Sequence, residues 1–244
     1  MGLTRDIWNK FTIIFFALVM LNIVAHHVFV EPDIFTAQNY ILHVITKPLV
    51  TLSALCLLIK YLAQEEHQNL LMVALTYSLL GDILIMGQGI NTLFFAGGMV
   101  AFFITQTSYM IYFQRSAGGW LGRNTAVQAL QVVVILYATG FYLLLLPHLG
   151  NFWILVLLYQ TNITLMGITA IGRYGRVNFE AYMYTTIGVF GLLLANSIFA
   201  YNKFISLQKF EELSSTLITL SYFSAQYMIL KGFVTLRRPQ PSGI

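Results

Sequence analysis

Charge is what this sequence has least of. Only 9% of its 244 residues are Asp, Glu, Lys or Arg, against about 25% in an ordinary soluble domain. Too few polar side chains are present to cover a water-facing surface, which excludes a soluble globular enzyme. Cysteine is nearly absent too. The one cysteine, Cys56, lies inside an apolar run, so a disulfide framework and a cysteine zinc site are excluded, and it reads as a small packing residue. His26, His27, His43 and His148 stand near the ends of apolar runs without ligand spacing, so neither a metal nor any other cofactor is expected. The Gly-x-Ser-x-Gly elbow, the His-Glu-x-x-His zinc motif and the phosphate-binding P-loop are all missing.

What remains is apolar: 58% of residues are hydrophobic and the mean hydropathy is +0.75. Eight stretches reach the roughly 20 residues that cross a bilayer as helix. They fall near 11–30, 41–60, 69–87, 93–114, 126–146, 152–171, 181–201 and 215–232. The expected fold is all-α: a polytopic membrane protein with a bundle of eight transmembrane helices. Residues 1–238 read as one transmembrane domain and 239–244 as a disordered tail. The first stretch follows Arg5 and Lys10 like a signal sequence but lacks a small-x-small cleavage site, so an uncleaved helix is expected.

A net charge of +4 would suggest nucleic acid on a soluble protein. Here the basic residues sit between spans, where they set orientation, and no nucleic acid partner is expected. With eight spans, Arg5, Lys10, Lys60, Arg115, Arg123, Arg173, Arg176, Lys231, Arg237 and Arg238 share one side, against Lys203 and Lys209 on the other. The positive-inside bias puts both termini in the cytoplasm. "LLGDILIM" resembles "LLANSIFA", and "QTSYMI" resembles "SAQYMI", at similar offsets. These pairs suggest two four-helix halves as a parallel repeat.

Two charges lie inside spans: Asp82 and Lys47. Each costs roughly 2.5–3.5 kcal/mol at mid-span, so such residues face a partner or a wet cavity. At about 1.5 Å rise per residue, both come out at one level in the outer half of the membrane. Asn196, Tyr159 and Tyr222 fall at similar heights. Helical spacing sets Tyr159, Asn162 and Met166 on one face, Gln106 and Tyr109 on another, and Tyr222 and Gln226 on a third. A polar pocket reaching toward the midplane accommodates all of them. Each also has a plainer reading. Lys47–Asp82 would then be a helix-pairing ion pair, the tyrosines core residues, and the amides interhelical glue worth under about 1–2 kcal/mol. Gly81, Gly97 and Gly98 read as close-packing sites.

The order of these motifs resembles the YhhN-type family of integral membrane proteins, the lysoplasmalogenases. "KPL" at 47–49 is similar to that family's second-helix motif and "LLGDILIM" to its Gly-Asp motif. "FAGGMVAFFITQTSYMIYF", "LLYQTNITLMGITAIGR", "GVFGLLLANSIFAYNKF" and "LSYFSAQYMILKGF" resemble the family's fourth, sixth, seventh and last helices. Two positions depart from the pattern. Asn196 stands where the family typically has Asp, and Gln106 where it typically has His.

The resemblance implies hydrolysis of the vinyl ether of a lysoplasmalogen to a fatty aldehyde and a glycerophospho-ethanolamine or -choline. Vinyl ethers open by protonation of the carbon remote from oxygen, which leaves an oxocarbenium ion for water to attack. A carboxyl group sheltered from water resists ionisation, while a neighbouring ammonium favours it. The resemblance implies catalytic roles for Asp82, Asn196 and Lys47. Asp82 would supply the proton and Asn196 orient water, though an amide cannot take the proton up. Gln106, Tyr109, Tyr159, Asn162, Tyr222 and Gln226 would bind substrate. The expected partners are a lysophospholipid and membrane lipid; no oligomeric partner is named by the sequence. Two other readings stay open: a catalytically weakened lipid-binding family member, and a small-solute transporter built on the repeat and the buried ion pair.

Overall fold

The computed structural model describes residues 5–29, 37–61, 67–117, 119–122, 124–206 and 211–236. Among the described residues there are eight long helices and no strand. They are α1 (Arg5–Phe29), α2 (Ala37–Tyr61), α3 (Gln68–Met86), α4 (Thr92–Ala117), α5 (Thr125–Leu145), α6 (Trp153–Gly172), α7 (Phe179–Tyr201) and α8 (Glu211–Leu236). Each covers one predicted stretch. The helices outrun the apolar windows where charged ends continue them. At the start of α1, for example, Asp6 and Lys10 pair one turn apart at 2.8 Å. The tail 239–244 lies outside the described residues.

Among the described residues, six helices are long and apolar enough to cross a membrane: those spanning Arg5–His26, Gln68–Gly89, Thr92–Ala117, Thr125–His148, Gly150–Gly172 and Phe179–Ser206. The chain is therefore a multi-pass membrane protein by helix length and composition. Of the two remaining predicted spans, α8 is equally long but more polar, with a Ser/Thr-rich first half, and α2 has its first side chains, 37–43, outside those described.

Side-chain caps start two helices. Asn124 accepts from the Val127 amide at 2.9 Å and Asn178 from the Ala181 amide at 2.7 Å. Gly175, at φ 68°, permits the reversal between α6 and α7. Past α7 the chain continues through a single π-helical turn, Asn202–Ser206.

The chain divides into two compact units, one of residues 1–109 and 210–223, the other of 110–209 and 224–244. Their limits fall inside α4 and α8, not between the four-helix halves that the sequence repeat suggests. The first unit packs Phe15, Val19, Val50, Leu58, Leu71, Leu75 and Phe223 into its core. Phe15 meets Phe223 edge-on at 6.4 Å. Two polar bonds lock helix pairs here: Asn22 Nδ2 donates to Thr46 Oγ1 at 2.9 Å, and Thr105 Oγ1 to the Ala74 carbonyl at 3.1 Å. Cys56 corrects its expected packing role. It is exposed on α2, because Leu57 and Leu58 take the core-facing positions.

The second unit holds α5–α7 with the ends of α4 and α8. A polar hub of this unit is Gln131 on α5. Gln131 Nε2 donates at 2.8 Å to the carbonyls of both Trp120 and Ile168, and its Oε1 accepts from the Gly122 amide at 3.1 Å. One side chain thus staples the 119–122 segment to α6. Gln131→Leu keeps the bulk and removes three hydrogen bonds, one of them to the buried Gly122 amide, which costs about 1–3 kcal/mol when left unsatisfied. The expected result is a several-degree drop in the unfolding temperature in detergent, read by thermal denaturation.

Candidate functional site

Asp82 is 1% exposed. It sits on α3 one turn after Ser78, while α2 presents Lys47 and Thr51, also one turn apart. Two i, i+4 pairs on neighbouring helices therefore face each other. Lys47 Nζ stands 3.8 Å from Asp82 Oδ1, with the Lys47 side chain 20% exposed and so still partly open to the surroundings. Thr51 Oγ1 donates to Oδ2 at 2.9 Å. Tyr222, reaching in from α8, donates to the same Oδ2 at 3.3 Å. Its hydroxyl lies 2.6 Å from Ser78 Oγ. With the Tyr222 proton aimed at Asp82, Ser78 is the donor of that second bond.

The carboxyl is thus asymmetric. Oδ2 carries two hydrogen bonds; Oδ1 carries none and faces the ammonium. Rings frame the group. Gly81 lies beneath Phe102, where a Cβ would come within 2.9 Å of ring carbons, and Phe102 meets Tyr222 edge-on at 5.9 Å. Gly98 is as crowded, its Cβ position only 2.7 Å from Ile85, while Gly97 has ordinary room. Pro48 follows Lys47 inside α2 and has no N–H to offer the Val44 carbonyl, a break tolerated where neighbours supply replacement partners.

A second polar group lies in the other unit. Tyr159 donates to Asn196 Oδ1 at 2.5 Å, and Asn196 Nδ2 donates to the Leu192 carbonyl at 2.7 Å. Next to it, Tyr137 donates to Ser197 at 2.7 Å. Asn162 and Met166 are buried on α6, and Gln226 is buried on α8. Gln106 and Tyr109 are buried on α4 in the first unit. Neither bonds the Asp82 carboxyl.

Of the residues expected from sequence, Lys47, Asp82 and Tyr222 are brought together in one unit, and Tyr159 and Asn196 in the other. Thr51 and Ser78 were not expected. Their signal was available: each is the polar residue one turn from an intramembrane charge, on the same helix face. Among the described residues no group of three His, Cys, Asp or Glu side chains is arranged to hold a metal; His27 and His43 fall where side chains are not described.

Among the described residues the chain is helical, with several helices apolar enough to cross a membrane and a buried carboxyl–ammonium pair joining two of its helices. Residues 42–233 match the YhhN family, and the chain belongs to that family. No curated protein and no solved structure matches it.

Proposed function

We propose that this chain is a lysoplasmalogenase-like membrane hydrolase that cleaves the vinyl ether of a lysoplasmalogen with Asp82 as proton donor. The supporting observation is the asymmetry of Asp82: Thr51 and Tyr222 hold Oδ2, so Oδ1 is the oxygen left to carry and deliver a proton. In the proposed reaction, Oδ1–H protonates the vinyl carbon remote from oxygen. The double bond's electron pair takes the proton, and the oxocarbenium ion forms beside the new carboxylate. Lys47, Thr51 and Tyr222 stabilise that carboxylate by charge and hydrogen bonding. Water adds to the carbon attached to oxygen and returns a proton to Asp82. The hemiacetal then collapses to a fatty aldehyde and the glycerol hydroxyl of a glycerophospho-base.

In this reading all eight helices cross the membrane, α2 and α8 included, with both termini in the cytoplasm. The four-helix repeat is part of the same proposal. The lipid's tail runs along the helices and its headgroup lies near the polar layer.

The test is aldehyde release by the purified full chain in detergent. A lysoplasmalogen should yield free aldehyde, and the saturated alkyl-ether analogue should yield none. Silence on both substrates would defeat the hydrolase reading. Thr51→Val tests the geometry: without its hydroxyl, Oδ2 keeps one donor and the carboxyl is free to turn. About tenfold loss of kcat is expected, since one charge-assisted hydrogen bond contributes on the order of 1.5–3 kcal/mol.

A second reading, a lipid-binding member without turnover, is favoured by one observation. The amide that stands at Asn196 has its oxygen bonded to Tyr159 and its nitrogen to its own helix, and no carboxylate replaces it.

A further inference from the structure

The α6–α7 turn holds a cation that the Asp82 chemistry does not use. Arg173 follows the last residue of the α6 span and is fully buried, with 0% exposure. Its Nη1 donates to Thr185 Oγ1 at 2.8 Å. The rings of Tyr112 and Phe113 lie alongside, 5.6 and 5.2 Å from the guanidinium carbon to their centroids. Nε and Nη2 are buried and make no hydrogen bond of ordinary geometry; the Tyr112 hydroxyl is the one polar group beside Thr185 that interacts with the guanidinium. No carboxylate among the described residues pairs with this side chain. The carbonyl end of α6 favours a cation here, yet accepts no bond from it.

Those two idle donors are not an arbitrary pair. Nε–H and Nη2–H form the side-on fork of the guanidinium, the edge that meets two oxygens of a phosphate or carboxylate in parallel. A buried charge without a counter-ion is strongly unfavourable. One turn on, Arg176 repeats the pattern. It lies across Gly119, where a Cβ would stand on its guanidinium, and gives Nη2 to the Leu121 carbonyl at 2.9 Å. Its Nε and Nη1 are likewise buried without partners. Two arginines on one interhelical turn at the end of a span, each with donors to spare, have the composition of a basic headgroup pocket.

We propose that Arg173, assisted by Arg176, forms an oxyanion site that takes a phosphate group, supplied by an anionic lipid headgroup at the membrane surface.

The full chain in maltoside micelles is titrated with phosphatidylglycerol, and separately with inorganic phosphate against chloride of equal ionic strength. Thermal unfolding and native mass spectrometry read the binding. Phosphatidylglycerol should raise the unfolding temperature and remain bound as added mass. Arg173→Lys, which keeps the charge and loses the fork, should weaken this by about tenfold. Arg176→Gln should weaken it less and retain the fold. If inorganic phosphate alone reproduces the effect and both variants reduce it, the oxyanion site stands with a free phosphate as occupant. If neither ligand changes wild-type stability or mass, or the variants bind as the wild type does, the proposal is overturned and water satisfies these donors. Should Arg173→Lys fail to fold, the wild-type titrations and Arg176→Gln still decide between these outcomes.

Discussion

Asp82→Asn is expected to cut aldehyde release by roughly 10²–10⁴-fold, the contribution of a positioned general acid. The substitution preserves size and leaves an amide oxygen that can accept from Thr51 and Tyr222, so the packing around α3 should survive. What disappears is the Asp82 carboxyl proton. Size-exclusion behaviour and the unfolding temperature should stay close to wild type, which separates lost chemistry from lost structure. An unchanged rate would remove Asp82 as the donor. The lipid-binding reading makes the opposite forecast: the wild type is silent, Asp82→Asn changes nothing, and Asn196→Asp gains activity by supplying a second acid. Measuring all three proteins on one lysoplasmalogen preparation distinguishes the two readings directly.

Gly188→Ala should be among the most damaging single-methyl changes in the molecule. A Cβ at Gly188 would lie 2.8 Å from the Ala225 carbonyl oxygen, 2.8 Å from Ile229 Cγ1 and 3.0 Å from the Ile229 amide nitrogen. Two of those three atoms are backbone, so no rotamer change relieves the clash. α7 and α8 must separate, and overpacking of this kind costs about 1–3 kcal/mol. Gly232, facing the other way across the same helix pair, has its Cβ position closest to Thr185 Oγ1 and 3.1 Å from the Ala181 carbonyl. Gly232→Ala should therefore also disturb the hydroxyl that meets Arg173. Gly140, in α5, has nothing within 4 Å of its Cβ position. Gly140→Ala should be neutral or stabilising by up to about 1 kcal/mol, since alanine is the better helix former. Thermal unfolding of the three variants in one detergent is the measurement. Equal stability of Gly188→Ala and Gly140→Ala would contradict the close α7–α8 approach.

Both expectations rest on features of different legibility. Composition and hydrophobic run length were sufficient for the eight helices, because in a bilayer every backbone polar group must be satisfied within its own segment. Asp82 and Lys47 were equally plain, since a charge inside a span is expensive and therefore informative. Their pairing followed from counting rise per residue. Thr51 and Ser78 are not legible in the sequence although each lies one helical turn from a charge, because a Thr or Ser in a membrane helix is commonplace and usually bonds its own backbone. Arg173 was read as a loop cation that sets orientation. Nothing in a linear string says that the first residue after a span folds back under two aromatic rings.

The sequence by itself determined the class of protein, the number and rough extent of the helices, the family, and the presence of a costly carboxyl–ammonium pair, all properties that depend on local composition and spacing. Only the tertiary structure decided which carboxyl oxygen is held and which is left open, which glycines lie against a neighbouring backbone, and that a second buried cation has unanswered donors. Those facts depend on which helix faces meet, and the side chains that make them meet are far apart along the chain.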